Sequence, residues 1–286
     1  MLILSTYSTF QLSIQYFFEG GIFSMNTLKI RSTELGAGVP KTIVPIVAKT
    51  RGAIIEKAAE ITKLPADLVE WRADFYDGLF NIPELLETLK ELRKTLGNTP
   101  ILFTIRTKPE GGEVAPSFED YSKVNLAIAQ SGDADLVDVE MFWGNTDWNG
   151  KVSEVSSKLV DEIHKAKCIV VGSRHSFAHP PAQGEILRTL QEQKKAGADI
   201  PKVAVMPKSD KDVVTLIAAS VDFKSETDRP FLTISMGPRG MVSRMACELS
   251  GSCMTFGAAG QASAPGQIQV KDLKDALSMI HTAQQG

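Results

Sequence analysis

The sequence predicts an α/β fold, a (β/α)8 barrel in a single domain, on three observations. Eight short apolar runs rich in Val, Ile and Leu follow residue 42, and segments of helical hydrophobic period separate them. Most runs lack strict polar alternation, as parallel strands covered on both faces do. Eight strand–helix units within about 245 residues match the usual size of such a barrel. A doubly wound open sheet is the alternative. It would want a glycine-rich phosphate loop after the first strand, and Lys49-Thr50-Arg51-Gly52 is not one.

In chain order, residues 27–40 are expected to form a short hairpin closing the barrel bottom. The first strand covers 42–48, and the helix at 53–63 carries Ile54, Ile55, Ala58 and Ile61. The second strand is 68–72. Its helix at 82–95 sets Leu85, Leu86, Leu89 and Leu92 on one stripe, with Asn81 as N-cap and Pro83 in the first turn. The third strand is 101–106, and Ser117 with Asp120 resembles a capping box before the helix at 121–130. Strands at 135–141, 168–173, 202–206, 231–236 and 253–257 alternate with helices at 152–166, 184–196, 210–220, 240–249 and 270–282. No internal repeat, low-complexity tract or second domain is visible.

Composition narrows the function. The chain has 286 residues, 43% hydrophobic and 23% charged, with a net charge of −3. That usage is ordinary for a globular protein and offers no basic excess for nucleic acid. Apolar runs fall short of a membrane span. Three cysteines (Cys168, Cys247, Cys253) without CxxC spacing argue for a reducing compartment, hence a cytoplasmic protein, and against structural zinc. His164, His175, His179 and His281 show no metal-ligand spacing, so neither a metal nor another cofactor is expected. The first 24 residues contain no Lys or Arg and lack a signal-peptide pattern. They are expected to be a poorly ordered extension, with Met25 as a plausible start and residues 25–286 as one catalytic domain.

Barrel active sites lie at the carboxyl ends of the strands, so polar residues there are the candidates. Glu70, Arg72 and Asp74 alternate at the end of the second strand and share the inward face; a structural ion network and substrate contact are equally open. Arg106 ends the third strand, where it can clamp a carboxylate or pair with Glu70 or Asp74. Glu110, ahead of Gly111-Gly112, reads locally as a turn acid. Asp138 and Glu140 in the fourth strand need partners, and Arg72 and Arg106 are the natural ones. His175 after the fifth strand is placed for acid–base work near neutral pH. Lys202 interrupts the apolar sixth strand. Burial there would lower its pKa and make a Schiff-base nucleophile, or it snorkels at the strand's start. Arg244 follows the seventh strand on a helix start and suits an acidic substrate. Ser263 and Gln267 follow the eighth, on a loop able to close over hydroxyl groups.

The chain resembles the type I 3-dehydroquinases over roughly residues 27–282. The matching segments are Glu70-Trp71-Arg72-Ala73-Asp74, Phe103-Thr104-Ile105-Arg106 with Glu110-Gly111-Gly112-Glu113, Ser173-Arg174-His175, and Ile200-Pro201-Lys202-Val203-Ala204-Val205-Met206-Pro207. Ser235-Met236 with Gly240 and Ser243-Arg244, and Thr255-Phe256-Gly257 with Ala262-Ser263-Ala264-Pro265-Gly266-Gln267, complete the set. The resemblance implies a homodimeric barrel that converts 3-dehydroquinate to 3-dehydroshikimate. It implies Lys202 as the Schiff-base lysine, His175 as general acid–base, Glu110 as the carboxylate orienting it and Arg244 as the substrate-carboxylate residue. Glu70, Arg72, Arg106, Ser263 and Gln267 would supply the remaining substrate contacts. Ser176 stands where the family usually has an aspartate, and His179-Pro180-Pro181 is a further departure. A class I aldolase-type barrel is the other enzymatic reading. A non-catalytic binder of hydroxylated acids is the reading outside catalysis, although such a chain would be expected to have lost Lys202 or His175.

Overall fold

The structure is a computed structural model and describes residues 26–260 and 266–285. The expected extension at residues 1–24 and the candidate Ser263 lie outside the described residues. The first elements of the described residues are two strands, β1 (Leu28–Ile30) and β2 (Thr33–Leu35), paired antiparallel. This is the expected hairpin. Ile30 and Leu35 are buried and cluster with Ile43, Leu68, Leu102 and Leu136 inside the barrel.

Eight parallel strands follow: β3 (Lys41–Ile46), β4 (Leu68–Arg72), β5 (Ile101–Thr104), β6 (Leu136–Glu140), β7 (Ile169–Ser176), β8 (Ile200–Val205), β9 (Leu232–Ser235) and β10 (Met254–Phe256). They pair in the order β10-β3-β4-β5-β6-β7-β8-β9. The ring closes between β9 and β10 through a single parallel bridge, Phe231 to Ser252, and Cys253 N donates to Phe231 O at 2.8 Å. The fold is therefore the predicted (β/α)8 barrel. Two boundaries differ from the sequence reading in ways that matter. β7 runs on to Ser176, so His175 sits on a strand rather than in a loop. β8 begins at Ile200, so Lys202 is its third residue, and its burial excludes snorkelling at the bottom rim.

The helices are α1 (Arg51–Ile61), α2 (Ile82–Leu96), α3 (Phe118–Ser131), α4 (Glu154–Lys165), α5 (Gln183–Lys195), α6 (Asp210–Glu226), α7 (Val242–Met245), α8 (Cys247–Ser250) and α9 (Val270–Gln284). Hydroxyl side chains start four of them: Thr50, Ser117, Ser153 and Ser209 each accept a backbone N–H from the first turn. Asn81 holds the predicted cap position, but its amide donates to Glu84 Oε2 at 3.0 Å instead of capping. The Ser117–Asp120 box is also altered, because the short aspartate accepts from the Ser117 hydroxyl (2.8 Å). The single helix expected at 240–249 is broken into a 3-10 turn (Arg239–Met241), α7 and α8. At the start of α7 the Ser243 Oγ ties the 3-10 turn to the end of β9, accepting from Ser235 N (3.0 Å) and donating to Gly240 O (2.8 Å).

Leu136 is fully buried in the layer above the hairpin. Leu136→Ala should cost roughly 2–5 kcal/mol of unfolding free energy. Urea denaturation checks this, and a loss far below that range would mean the layer is not close-packed.

Candidate active site

Along the inward faces of β4 to β8, apolar side chains at the hairpin end give way to polar ones, whereas β9 and β10 stay apolar with Leu232, Ile234, Met254 and Phe256. Leu68 precedes Glu70, Leu136 precedes Asp138 and Glu140, Val171 precedes Ser173 and His175, and Ile200 precedes Lys202. The polar layer borders an open cavity of about 320 Å³. Glu70, Arg72, Arg106, Glu110, His175, Lys202, Arg244 and Gln267 all line it, so every described residue that the family resemblance implied for the site meets at one place, while the further candidates Asp74, Asp138 and Glu140 are not among the lining residues.

Lys202 is 3% exposed, and its Nζ donates to Asp138 Oδ2 at 3.0 Å. The face of Phe256 lies 5.3 Å away. The sequence reading named no partner for this lysine, and the structure supplies one in a buried carboxylate. Asp138 in turn accepts from Ser173 Oγ at 2.6 Å and pairs with Arg106 Nη2 at 2.8 Å. Burial alone would push Asp138 up, but Arg106, Lys202 and the Ser173 hydroxyl hold it at about 2.

Arg106 is the centre of this network. Its Nη1 donates to Glu140 Oε1 (2.9 Å) and Ser173 Oγ (3.0 Å), and approaches Glu110 Oε2 at 3.4 Å. Glu140 also accepts from Thr107 N (2.9 Å) and Thr107 Oγ1 (2.6 Å). The expected partnership of Asp138 and Glu140 therefore holds for Arg106 but not for Arg72. Arg72 forms a two-point pair with Asp74, at 2.8 and 2.7 Å. Asp74 lies in the 3-10 turn after β4, at Ala73–Phe75, rather than on the strand. Glu70 accepts from Thr104 Oγ1 at 2.9 Å.

Glu110 is the turn acid that its local sequence suggested, and its carboxylate is turned onto the histidine. It ends a 3-10 turn (Lys108–Glu110), and Gly111 follows in the left-handed region at φ 85°. A Cβ on Gly112 would stand 1.8 Å from Arg106 O, so only glycine allows this return of the chain. Glu110 Oε2 lies 2.8 Å from His175 Nδ1 and also accepts the His175 backbone N–H at 3.1 Å. That acceptor role favours Nδ1–H as the donor and leaves the Nε2 lone pair free of Glu110. Burial, then the charges of Arg106, Lys202 and Arg72, push His175 well below its usual value. The near-neutral titration expected from sequence is thus corrected, and the imidazole is held neutral. Burial and the nearby Glu140 and Asp138 charges push Glu110 well up. The Ser176 hydroxyl donates to His179 O.

Arg244 is 3% exposed and donates from Nη1 to Phe256 O at 3.3 Å. Among the described residues it has no carboxylate partner. Burial lowers it to about 10, which leaves it charged at neutral pH. The three cysteines are buried free thiols, and burial pushes them up, away from reactivity. Sequence reasoning missed the Lys202–Asp138 pair and the bridging Ser173. Inward parity gave the face of each residue but not its partner.

Fold and polar layer together define the class: a (β/α)8-barrel enzyme with its site at the strands' carboxyl ends. The sequence profile of the type I 3-dehydroquinases matches residues 42–284. The 3-dehydroquinate dehydratase of Listeria welshimeri is 43% identical over 257 residues, covering 90% of this chain and 99% of that one. A type I 3-dehydroquinate dehydratase from Clostridium difficile, solved with covalently modified comenic acid, superposes with a TM-score of 0.85 at 40% identity. It covers 91% of this chain and 99% of its own. The Geobacillus kaustophilus 3-dehydroquinate dehydratase gives a TM-score of 0.85 at 34% identity, over 92% and 99% of the two chains. The chain belongs to the type I 3-dehydroquinase family.

Arg106→Met should leave Asp138 and Glu140 buried with much of their positive charge removed. A loss of roughly 3–5 kcal/mol in urea-unfolding free energy is expected. A near-neutral change would mean the network is not desolvated.

Proposed function

We propose that this protein dehydrates 3-dehydroquinate to 3-dehydroshikimate in the shikimate pathway, by syn elimination of water through a Schiff base on Lys202. The observation that carries the reading is the placement of Lys202 and His175 on adjacent strands, facing one cavity. The covalently modified ligand of the Clostridium difficile relative agrees with it. Lys202 Nζ gives up a proton and, as the free amine, attacks the C3 ketone; a second proton leaves nitrogen in the carbinolamine, the carbonyl oxygen departs with both as water, and an iminium remains. That electron sink acidifies the C2 proton, which His175 removes through Nε2 to give an enamine. The same imidazolium then protonates the departing C1 hydroxyl, and hydrolysis frees the product.

Glu110 orients the imidazole. Arg244 takes the substrate carboxylate, since its positive charge has no carboxylate among the described residues. Glu70, Arg72, Arg106 and Gln267 contact the remaining polar groups, Arg106 while anchored by Asp138 and Glu140, and we assign Ser263 to the same set. A homodimer is part of this reading, and the exposed apolar Val214, Val221, Met241, Val242 and Leu249 lie on elements that pack together. So is a cytoplasmic location, in keeping with three free thiols. Among the described residues no helix is long and apolar enough to cross a membrane.

Borohydride with 3-dehydroquinate should inactivate the enzyme and leave a substrate-derived adduct on Lys202, located by peptide mass mapping. Lys202→Ala should give neither adduct nor turnover; retained turnover would sink the Schiff-base reading. His175→Ala should still form the trapped adduct while turnover falls on the order of 10²–10⁴-fold.

A neutral His175 persists below the usual histidine range, so the base remains competent there. The acid limb of kcat/KM, which reports the free enzyme, is expected below about pH 6.5. A limb at or above that value would contradict the buried, cation-facing imidazole.

A further inference from the structure

Conversion of a protonated amine and a ketone to a protonated imine conserves charge. The C–N bond forms and both carbon–oxygen bonds of the carbonyl break. The oxygen leaves as water, carrying two of the three ammonium protons, and one proton stays on nitrogen. The cation at the nitrogen of residue 202 is therefore the same before and after the covalent step. Given the Schiff-base reading above, on which this rests, the geometry points to Asp138 as the fixed counter-ion of that nitrogen in both the ammonium and the iminium states.

Asp138 is fully buried, and Oδ2 is the hydrogen-bond acceptor of Lys202 Nζ, at 3.0 Å. Its other oxygen is held by Ser173 Oγ at 2.6 Å and Arg106 Nη2 at 2.8 Å, so it cannot turn away without losing both. Ser173 is the register partner of Lys202 across β7 and β8, which ties the carboxylate to the lysine's own strand pair. The charged and titratable groups around Asp138 are Arg106 from the end of β5, Lys202 from β8, Glu110 from its turn, Glu140 on β6 and Tyr121 from α3. The Tyr121 hydroxyl donates to the Asp138 carbonyl at 3.2 Å. With Arg106 drawn toward Glu140 and Glu110 as well, Asp138 is the carboxylate in direct contact with the reacting nitrogen. A fixed opposite charge at a centre that stays cationic needs no reorganisation during the step, and it keeps the imine protonated, the form that draws electrons from C2. Asp138 is then a catalytic residue, distinct in role from the proton-transferring His175–Glu110 pair.

The test is cyanoborohydride trapping of Asp138→Asn with 3-dehydroquinate across pH, beside the wild type, with the adduct located by mass mapping. The wild type should trap on Lys202. At alkaline pH the folded variant should trap about 100-fold more slowly, because its imine, without the counter-ion, loses the proton at lower pH than the wild type's, so that trapping fades earlier as pH rises. Unchanged rate and pH profile would overturn the assignment. A raised KM with normal trapping would place Asp138 in substrate binding and overturn it equally. No adduct in the wild type would defeat the Schiff-base reading itself, a separately recognisable failure. If Asp138→Asn does not fold, Ser173→Ala loosens the carboxylate but keeps the ion pair. The same alkaline fading with about tenfold slower trapping is then expected, and wild-type behaviour would overturn the assignment.

Discussion

The Arg106 guanidinium, placed where β5 ends, lets a barrel interior hold several acidic side chains at once. Asp138, Glu140 and Glu110 all come within 3.4 Å of it. An ionised carboxylate buried alone would be too costly to persist; it would take up a proton or open the fold to water. One planar cation with several donors is suited to share itself among them, which a lysine's point charge is not. The apolar layers below supply the rigidity this requires. The hairpin plugs the lower end, the inward leucines, isoleucines and valines fill the middle, and the polar layer is carried at fixed height above them.

That network also sets the state of the histidine. His175 faces Arg106, Lys202 and Arg72, and a further positive charge beside them is disfavoured, as is any charge in a buried position. The ring stays neutral while Glu110 fixes its orientation through Nδ1 and the backbone N–H. Glu110 reaches that position only because Gly111 and Gly112 permit a reversal that no side chain could share. A backbone constraint a few residues beyond Arg106 thus decides which imidazole nitrogen meets the cavity.

Much of this was legible in the sequence, for identifiable reasons. Val-, Ile- and Leu-rich runs between helical stripes have few other ways to bury both faces, so the barrel and its strand positions followed. Lys202 and His175 stood out because a charge within an apolar strand and a polar strand end demand a purpose. What stayed hidden depended on three-dimensional closure. Asp138 and Lys202 share inward parity, but they sit two strands apart, and no linear spacing reports that approach. Arg72 went to Asp74 because a 3-10 turn after β4 folds the aspartate back within two residues. The break between α7 and α8 at Ala246 also stayed hidden, an interruption that hydrophobic period does not carry.

The site divides its cations by what already neutralises them. Arg106, Lys202 and Arg72 each have a carboxylate from the chain, and their charges are part of the folded state. Arg244 differs: it is as buried as Arg106 and Lys202, yet its guanidinium meets a backbone carbonyl, and among the described residues it forms no ion pair with a carboxylate. A buried cation in that condition is costly in the empty cavity and gains most when an anion enters. Affinity for a substrate carboxylate can therefore come from relief of that cost, without disturbing the pairs that hold the reacting groups. Separation of the binding charge from the reacting groups lets the cavity accept an anionic molecule while the lysine keeps its contact with Asp138 and the histidine its contact with Glu110.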